Sequence, residues 1–158
     1  MSSKNPKRDE SLKTTLLRWG FNFFPAYFST GARVTFLSND YREIHVELPY
    51  GWRTRDHHGE LFKGSQYGAV DPLYPMMLSK NLGEDYEISE EESTAHFLEP
   101  CRQTVHAKIE VTEEDIKRIK DELEHHDSII RVYKIELMDE EGTVYTEVDK
   151  TLEISEAT

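Results

Sequence analysis

Hydrophobic and polar residues alternate with a period of two in several short parts of this chain. The alternation runs through residues 32–36, 44–48, 104–111, 129–137 and 144–154. It is typical of β-strands with one buried and one solvated face, as in an antiparallel sheet. Residues 94–98 predict one more strand, and the acidic residues 85–93 before it are predicted to form a linker.

Two turn signals connect neighbouring strands. Ser38, Asn39 and Asp40 stand between the first two strands, and residues of these types favour turn geometry. The sequence Asp-Glu-Glu-Gly at residues 139–142 separates the last two strands. A glycine in such a short connection predicts a β-hairpin.

Residues 64–82 follow a different pattern, because they are weakly polar on nearly every side of a helix. Asp71 and Lys80 are the only charged residues in this segment. A helix that is apolar all round is expected to be buried. Pro72 and Pro75 should kink this helix or restart it at Asp71.

Two further helices are predicted at the periphery. Asp9 or Ser11 can cap a short helix that ends at Gly20, and the aromatic residues 21–28 after it are expected to cover one end of the core. Thr112 is a suitable N-cap for a second helix. That helix has a single apolar stripe, Ile116, Ile119 and Leu123, and should lie on the surface.

The order of these elements predicts an α+β fold in which an antiparallel sheet of five or six strands wraps around the central helix. Six strands can enclose one apolar helix, which gives residues 64–82 a place to bury their faces. We divide the chain into an N-terminal leader and short helix, residues 1–20, and a single domain, residues 21–155.

Composition bears on partners and location. The net charge of −12 argues against nucleic acid and anionic membranes as partners. The hydrophobic fraction is only 37%, so we expect a partner subunit to complete the core of a homodimer or larger assembly. With Cys101 as the single cysteine, no internal disulfide is possible. That cysteine content, and a polar start that does not look like a signal peptide, favour the cytoplasm.

This layout, together with Gly59, Phe62, Gly64 and the pair Asp71-Pro72, resembles the hotdog-fold thioesterase superfamily over residues 21–154. It is most similar to an uncharacterised branch related to the phenylacetate-pathway thioesterases. The resemblance implies acyl-CoA thioester hydrolysis by dimers or tetramers with sites at the subunit interface. Such enzymes have a His-x-Gly-Gly-like turn and an Asp seven residues after its last Gly, a spacing that Gly64 and Asp71 share.

The same comparison shows three departures. Leu61 occupies the position of the histidine, and Lys63 that of the first glycine. Asp56 stands where many relatives have an asparagine that could orient a carbonyl group.

The resemblance implies a site around Asp71. This carboxylate would act as the base, and a backbone N–H near Gly64 or Ser65 would polarise the thioester carbonyl. An equally weighted alternative is that Asp71 caps a helix restarting at Pro72. Arg53, Arg55 and Lys63 flank the expected pocket mouth and could bind coenzyme A phosphates, or they could belong to an ordinary solvated loop.

Other chemistry has less support in the sequence. His57-His58 and His125-His126 lack a third ligand at metal-site spacing, so we expect no metal and no cofactor beyond the coenzyme A thioester as substrate. Cys101 is interpreted as a structural thiol. The competing hypothesis is a non-catalytic hotdog protein that binds an acyl or aromatic ligand. A hydratase ranks last, because residues 64–82 contain no histidine.

Overall fold

The computed structural model describes residues 8–158, so the predicted leader at residues 1–7 lies outside the described part. Its helices and strands follow the chain in this order: α1 (Leu12–Phe23), α2 (Pro25–Phe28), β1 (Arg33–Leu37), β2 (Glu43–Leu48), α3 (Lys63–Val70), α4 (Leu73–Leu82), β3 (Tyr86–Phe97), β4 (Val105–Glu110), α5 (Glu113–Leu123), β5 (Ser128–Met138) and β6 (Val144–Glu156).

The six strands form one antiparallel sheet in the order β1-β2-β4-β5-β6-β3. Inward side chains of β6, among them Val148, Leu152 and Ile154, are fully buried against the core. Helices α3 and α4 contribute buried Val70, Leu73 and other apolar side chains to that core. The predicted α+β hotdog fold is therefore confirmed, with six strands.

The central segment is two helices rather than one. It breaks at Asp71-Pro72, as the prolines predicted, and Pro75 lies in the first turn of α4, where a missing N–H is tolerated. The expectation of burial on all sides was too strong. One side of the segment is only partly covered, a stripe formed by Gly68, Pro72, Pro75 and Met76.

The N-terminal helix is longer than predicted. Ser11 caps it by accepting a hydrogen bond from the Thr14 N–H, but the helix continues through Gly20 to Phe23. One helical glycine costs only about 1 kcal/mol relative to alanine, and the packing of α1 on β1 outweighs that cost. The aromatic segment covers the core only in part, because Tyr27 is buried whereas Phe23, Phe24 and Phe28 are exposed.

The predicted acidic linker was wrong, because strand β3 already begins at Tyr86 and pairs with β6 along its length. The pairing has a bulge between Glu90 and Glu92. The predicted hairpin was correct: Gly142 has a positive φ of 88°, and Asp139 accepts the backbone N–H groups of Glu141 and Thr143.

The surface helix α5 also agrees with the sequence. The Thr112 side chain accepts the Asp115 N–H as an N-cap, and Ile119 and Leu123 are buried. Among the helices of residues 8–158, none is long and apolar enough to cross a membrane.

Candidate functional site

A polar cluster lies between helix α3 and the β3–β6 edge of the sheet, centred on Lys150. The side chain of Lys150 points inward from β6 and is fully buried. Its ammonium group donates to Asp71 Oδ1 and to the Glu90 carboxylate at 3.0 and 3.2 Å. It also donates to the Tyr67 hydroxyl at 3.2 Å.

The electrostatics of the cluster favour a charged lysine. Burial alone would lower the pKa of Lys150, but hydrogen bonds from its ammonium group to Asp71, Glu90 and Tyr67 outweigh burial, and the pKa lies above its ordinary value. Two carboxylates facing one ammonium group give the cluster a surplus of acceptors. A buried lysine in this state is a fixed positive charge and hydrogen-bond donor, not a nucleophile.

Asp71 is anchored by one oxygen and accessible at the other. Oδ1 receives the Lys150 hydrogen bond, whereas Oδ2 accepts none from residues 8–158. The side chain is 43% exposed. This arrangement orients the carboxylate and leaves one oxygen able to accept a proton from a bound molecule.

The predicted capping role of Asp71 was wrong. Helix α4 has Pro72 at its N-cap position, with no side-chain capping bond. Asp71 instead ends α3, where its backbone N–H bonds to the Tyr67 carbonyl. The carboxylate turns toward Lys150, because that buried ammonium group is a stronger partner than a backbone N–H.

The start of α3 provides the expected backbone donor at only one of the two predicted residues. The Ser65 N–H is already used, because it donates to the Phe62 carbonyl at 3.0 Å. The N–H of Gly64 donates to no group within the described residues. Nearby, Lys63 and Gln66 line a cleft of about 180 Å³ together with Phe97 and Cys101.

Gln66 fixes this end of α3 against the sheet. Its side chain is buried, donates to the Leu61 carbonyl at 3.0 Å and accepts from the Thr146 hydroxyl on β6. Lys150 lies four residues further along the same strand and holds the other end of the helix. Strand β6 therefore positions both Gly64 and Asp71.

The cations predicted at the pocket mouth do not form one cluster. Arg53 lies over the Phe28 ring, 4.9 Å from its centroid, and lines a groove beside α1. Lys63 lies over the Phe97 ring, 5.2 Å from its centroid, in the cleft at the start of α3. The exposed Arg55 forms an isolated β-bridge with Leu61 through its backbone.

Asp56 shapes its own loop. Its Oδ1 accepts the backbone N–H groups of His58 and Glu60. The Glu60 N–H, ahead of the smaller effect of desolvation, lowers the pKa of Asp56 below its ordinary value. An Asp in this loop is therefore satisfied locally by backbone donors.

The remaining candidates of the sequence are located as follows. Cys101 is buried, its thiol donates to the Gln103 carbonyl, and burial raises its pKa. A buried protonated thiol is a poor nucleophile.

The exposed rings of His57 and His58 contact each other with centroids 3.9 Å apart and planes tilted by 42°. Across residues 8–158, no group of three or more His, Cys, Asp or Glu side chains is arranged to hold a metal ion.

Sequence reasoning missed Lys150 and Glu90. The signal for Lys150 was present, because it occupies an inward position between Val148 and Leu152 in the alternation of β6. A charged residue at such a position must find partners in the interior. Glu90 could not be assigned, since the bulge in β3 decides which glutamate faces inward.

The fold is similar to several solved structures. PA5026 from Pseudomonas aeruginosa, described as a protein of unknown function and probable thioesterase, has a TM-score of 0.78 at 18% identity, covering 94% of this chain and 99% of that chain. Thioesterase HI1161 from Haemophilus influenzae has a TM-score of 0.65 at 18% identity, over 94% of each chain. A mutant thioesterase PA1618 from Pseudomonas aeruginosa has a TM-score of 0.64 at 15% identity, covering 96% of this chain and 98% of that chain. At these identities the similarity establishes the fold alone.

Sequence comparison assigns the family. No curated protein matches the sequence significantly. The model of DUF4442, described as a domain of unknown function, matches residues 13–154. This match includes α3, the Lys150 cluster, strands β1 to β5 and β6 up to Ile154. The chain therefore belongs to the DUF4442 family, and its fold is the hotdog fold.

Proposed function

We propose that this protein hydrolyses acyl-CoA thioesters, with Asp71 as the general base. The observation that carries the proposal is the anchoring of Asp71: Lys150 fixes Oδ1, while Oδ2 stays open on a side chain that is 43% exposed. A base must be held in place and must keep one oxygen accessible. The thioesterases among the structures of the same fold make this reaction the first to test.

In the proposed reaction a water molecule attacks the thioester carbonyl carbon, and Asp71 Oδ2 takes up the water proton. The negative charge that develops on the carbonyl oxygen is stabilised by a backbone N–H at the start of α3, that of Gly64. The carbon–sulfur bond then breaks. The coenzyme A thiolate leaves and takes up the proton held by Asp71, which restores the carboxylate, and the carboxylic acid remains.

One chain does not bring these two groups together. Gly64 and Asp71 lie seven residues apart on α3, which separates them by about 10 Å along the helix axis. A general base must approach the reacting water to about 3 Å. We therefore propose that the site forms between two copies, with Gly64 from one and Asp71 from the other.

Two surfaces suit such an arrangement. Strand β3 is an edge strand of twelve residues, paired on one side by β6, and an open edge of this length is a template for a second strand. The partly covered stripe of Gly68, Pro72, Pro75 and Met76 lies beside Asp71. Both would be covered in a homodimer.

Of the three cations expected at the pocket mouth, Lys63 fits the proposed site best. It precedes Gly64 in the chain and lines the cleft at the start of α3. Its ammonium group is therefore available to a phosphate of coenzyme A near the proposed oxyanion donor. Arg53 and Arg55 lie in the loop before α3. They would contact only a part of coenzyme A that lies farther from the thioester group.

The direct test measures free thiol release from a panel of short-chain, long-chain and aromatic acyl-CoA substrates. Asp71→Asn should lower turnover by about 10²–10⁴-fold, as expected for a lost general base. Asp121→Asn, at an exposed position of α5, is the matched control and should retain full activity. An Asp71→Asn variant with wild-type turnover would exclude Asp71 as the base.

A subunit-mixing experiment tests the shared site. Gly64→Pro removes the N–H in the first turn of α3, where proline is tolerated, and each variant is first checked for a cooperative melting transition above the assay temperature. Unfolded and refolded together, Gly64→Pro and Asp71→Asn should recover about a quarter of wild-type activity, because half of the dimers then contain one intact site. No recovery would mean that both groups act within one chain.

The alternative is a hotdog protein that binds an acyl or aromatic ligand without hydrolysing it. The observation in its favour is that Lys150 already engages Asp71, combined with Leu61 in the histidine position of related enzymes. Calorimetric binding of a non-hydrolysable acyl-CoA analogue, with no thiol release from any substrate of the panel, would favour this alternative.

A further inference from the structure

Helix α1 has apolar side chains on two faces. The face with more large apolar side chains is exposed to solvent, and the other face packs on the protein. Thr14, Leu17 and Phe21 lie toward the sheet. Leu12, Leu16, Trp19 and Phe23 follow each other at helical spacing on the opposite face, and all four are exposed. A surface helix of a globular protein normally has the reverse arrangement.

The exposed side chains continue beyond α1 into one apolar ridge, defined as Leu12, Leu16, Trp19, Phe23, Phe24 and Phe28. The Trp19 and Phe23 rings have centroids 6.1 Å apart, and Phe23 stacks on Phe28 at 6.5 Å. Trp19 is 56% exposed and Phe23 66%. A contiguous exposed patch of this kind marks an interaction surface.

Basic residues flank the ridge. Lys13 and Arg18 lie on the two sides of the apolar stripe of α1, and Arg53 lies over Phe28 at its far end. Within residues 8–158, neither Lys13 nor Arg53 is part of an ion pair, whereas Arg18 pairs with Glu10. Arg18, Arg33 and Arg53 also line a groove of about 470 Å³ whose walls include Trp19, Phe23 and Phe28.

In the sequence, the first 33 residues are basic whereas the rest of the chain is acidic. The first 33 residues contain six Lys and Arg residues and two Asp and Glu residues. The whole chain, in contrast, contains 19 Lys and Arg residues and 31 Asp and Glu residues. The net charge of −12, which argued against an anionic membrane, therefore conceals a basic end. A helix with Trp, Phe and Leu on one face and flanking Lys and Arg is the pattern of an interfacial membrane helix.

We propose that the apolar ridge docks on an anionic phospholipid surface. The aromatic and leucine side chains would enter the boundary between headgroups and acyl chains, with α1 lying in the membrane plane. Lys13 and Arg53 would contact lipid phosphates on either side. The acidic remainder of the protein is repelled by the same surface, so the charge distribution also sets the orientation.

Two other occupants fit the ridge less well. Residues 1–7 provide only Met1 and Pro6 as apolar side chains, which is too few to cover six large ones. A second copy paired symmetrically through the ridge would bring Lys13 and Arg53 of the two chains close to each other. Like charges in such a contact oppose association.

The test uses flotation of the full-length protein with vesicles of neutral phosphatidylcholine, alone or with a quarter of anionic phosphatidylglycerol. Trp19 is an exposed residue of the ridge itself, so a blue shift of tryptophan fluorescence that is lost in Trp19→Ser reports insertion of the ridge. The protein should float with the anionic vesicles, and raised salt should weaken that binding. Absence of flotation with the anionic vesicles, or equal binding to both types, would overturn the proposal.

Variants assign the binding to the ridge. The double variant Trp19→Ser with Phe23→Ser should reduce vesicle binding at least about tenfold, and Lys13→Glu with Arg53→Glu should do the same. The matched controls are Ile130→Ser with Val132→Ser, also exposed apolar residues, and Lys117→Glu on α5. Ridge variants that bind like wild type, or that dissociate an oligomer without any effect on vesicles, would contradict membrane docking.

Discussion

Lys150 and Asp71 are 79 residues apart in the sequence, yet the ammonium group of one donates directly to the carboxylate of the other. Glu90 and the Tyr67 hydroxyl share the same ammonium group. One buried charge thus joins β6, β3 and the end of α3. The position of the proposed base depends on this contact.

Lys150→Met tests how much this contact contributes to folding. The substitution leaves Asp71 and Glu90 facing each other without a counter-ion. Both carboxylates are more than one-third exposed, at 43% and 36%, so water can compensate in part. We expect a loss of about 2 kcal/mol in the free energy of unfolding by urea at pH 7.

The control for this measurement is Lys134→Met. Lys134 forms an exposed pair with Glu147 at 3.7 Å on the same sheet, and such pairs contribute at most about 1 kcal/mol. If both variants lost the same unfolding free energy, the buried contacts of Lys150 would contribute no more to stability than an exposed ion pair.

The pH dependence of Lys150 follows from its raised pKa. A lysine with a folded pKa above its unfolded value stabilises the protein fully below the unfolded value, about 10.4. That contribution disappears as the pH rises through the folded pKa. The difference in unfolding free energy between wild type and Lys150→Met should stay constant from pH 7 to about 10 and shrink above it. A difference that is unchanged at pH 11 would contradict a raised pKa.

Asp71→Asn and Asp71→Ala separate charge pairing from helix capping. A capping aspartate can be replaced by asparagine at little cost, whereas alanine loses about 1 kcal/mol. Because Asp71 pairs with Lys150 and caps no helix, both substitutions should cost similar amounts, about 1–2 kcal/mol. Urea unfolding at pH 7 measures both. An asparagine variant as stable as wild type beside a weakened alanine variant would restore the capping interpretation.

Much of the fold could be predicted because local pattern and tertiary structure agree. The caps Ser11 and Thr112, the break at Pro72 and the turn at Gly142 each follow from the chemistry of one residue. The alternation of apolar and polar residues predicted the bounds of five strands to within a few residues, because only one face of the sheet is buried. These features depend on neighbours in the sequence.

The missed parts depend on residues distant in the sequence. The middle of β3 lacks apolar residues at inward positions because Glu90 and Ser93 face the buried Lys150 there, so its alternation was hidden and it looked like a linker. The sequence drew attention to Asp71, but its contact with Lys150 could be found only by placing β6 against α3. Likewise, the outward direction of the α1 stripe depends on which face packs on β1.

The last prediction concerns acid sensitivity at the N-terminal helix. Glu10 links α1 to β1, because its Oε1 accepts the Arg18 Nε–H at 2.6 Å and the Leu37 N–H at 3.1 Å. Burial alone would raise the pKa of Glu10. The hydrogen bonds from Arg18 and the Leu37 N–H outweigh burial and lower the pKa below its ordinary value.

A carboxyl group with a lowered folded pKa stabilises the protein above its unfolded pKa, about 4.3, and loses that effect as the pH falls through the folded value. Glu10→Gln should therefore cost about 1–2 kcal/mol at pH 7 and progressively less below about pH 4. Urea unfolding between pH 3 and pH 7 measures the difference, and Glu140→Gln, at an exposed turn position, is the control. A cost for Glu10→Gln that is the same at pH 3 and pH 7 would show that the charge of Glu10 does not hold α1 on the sheet.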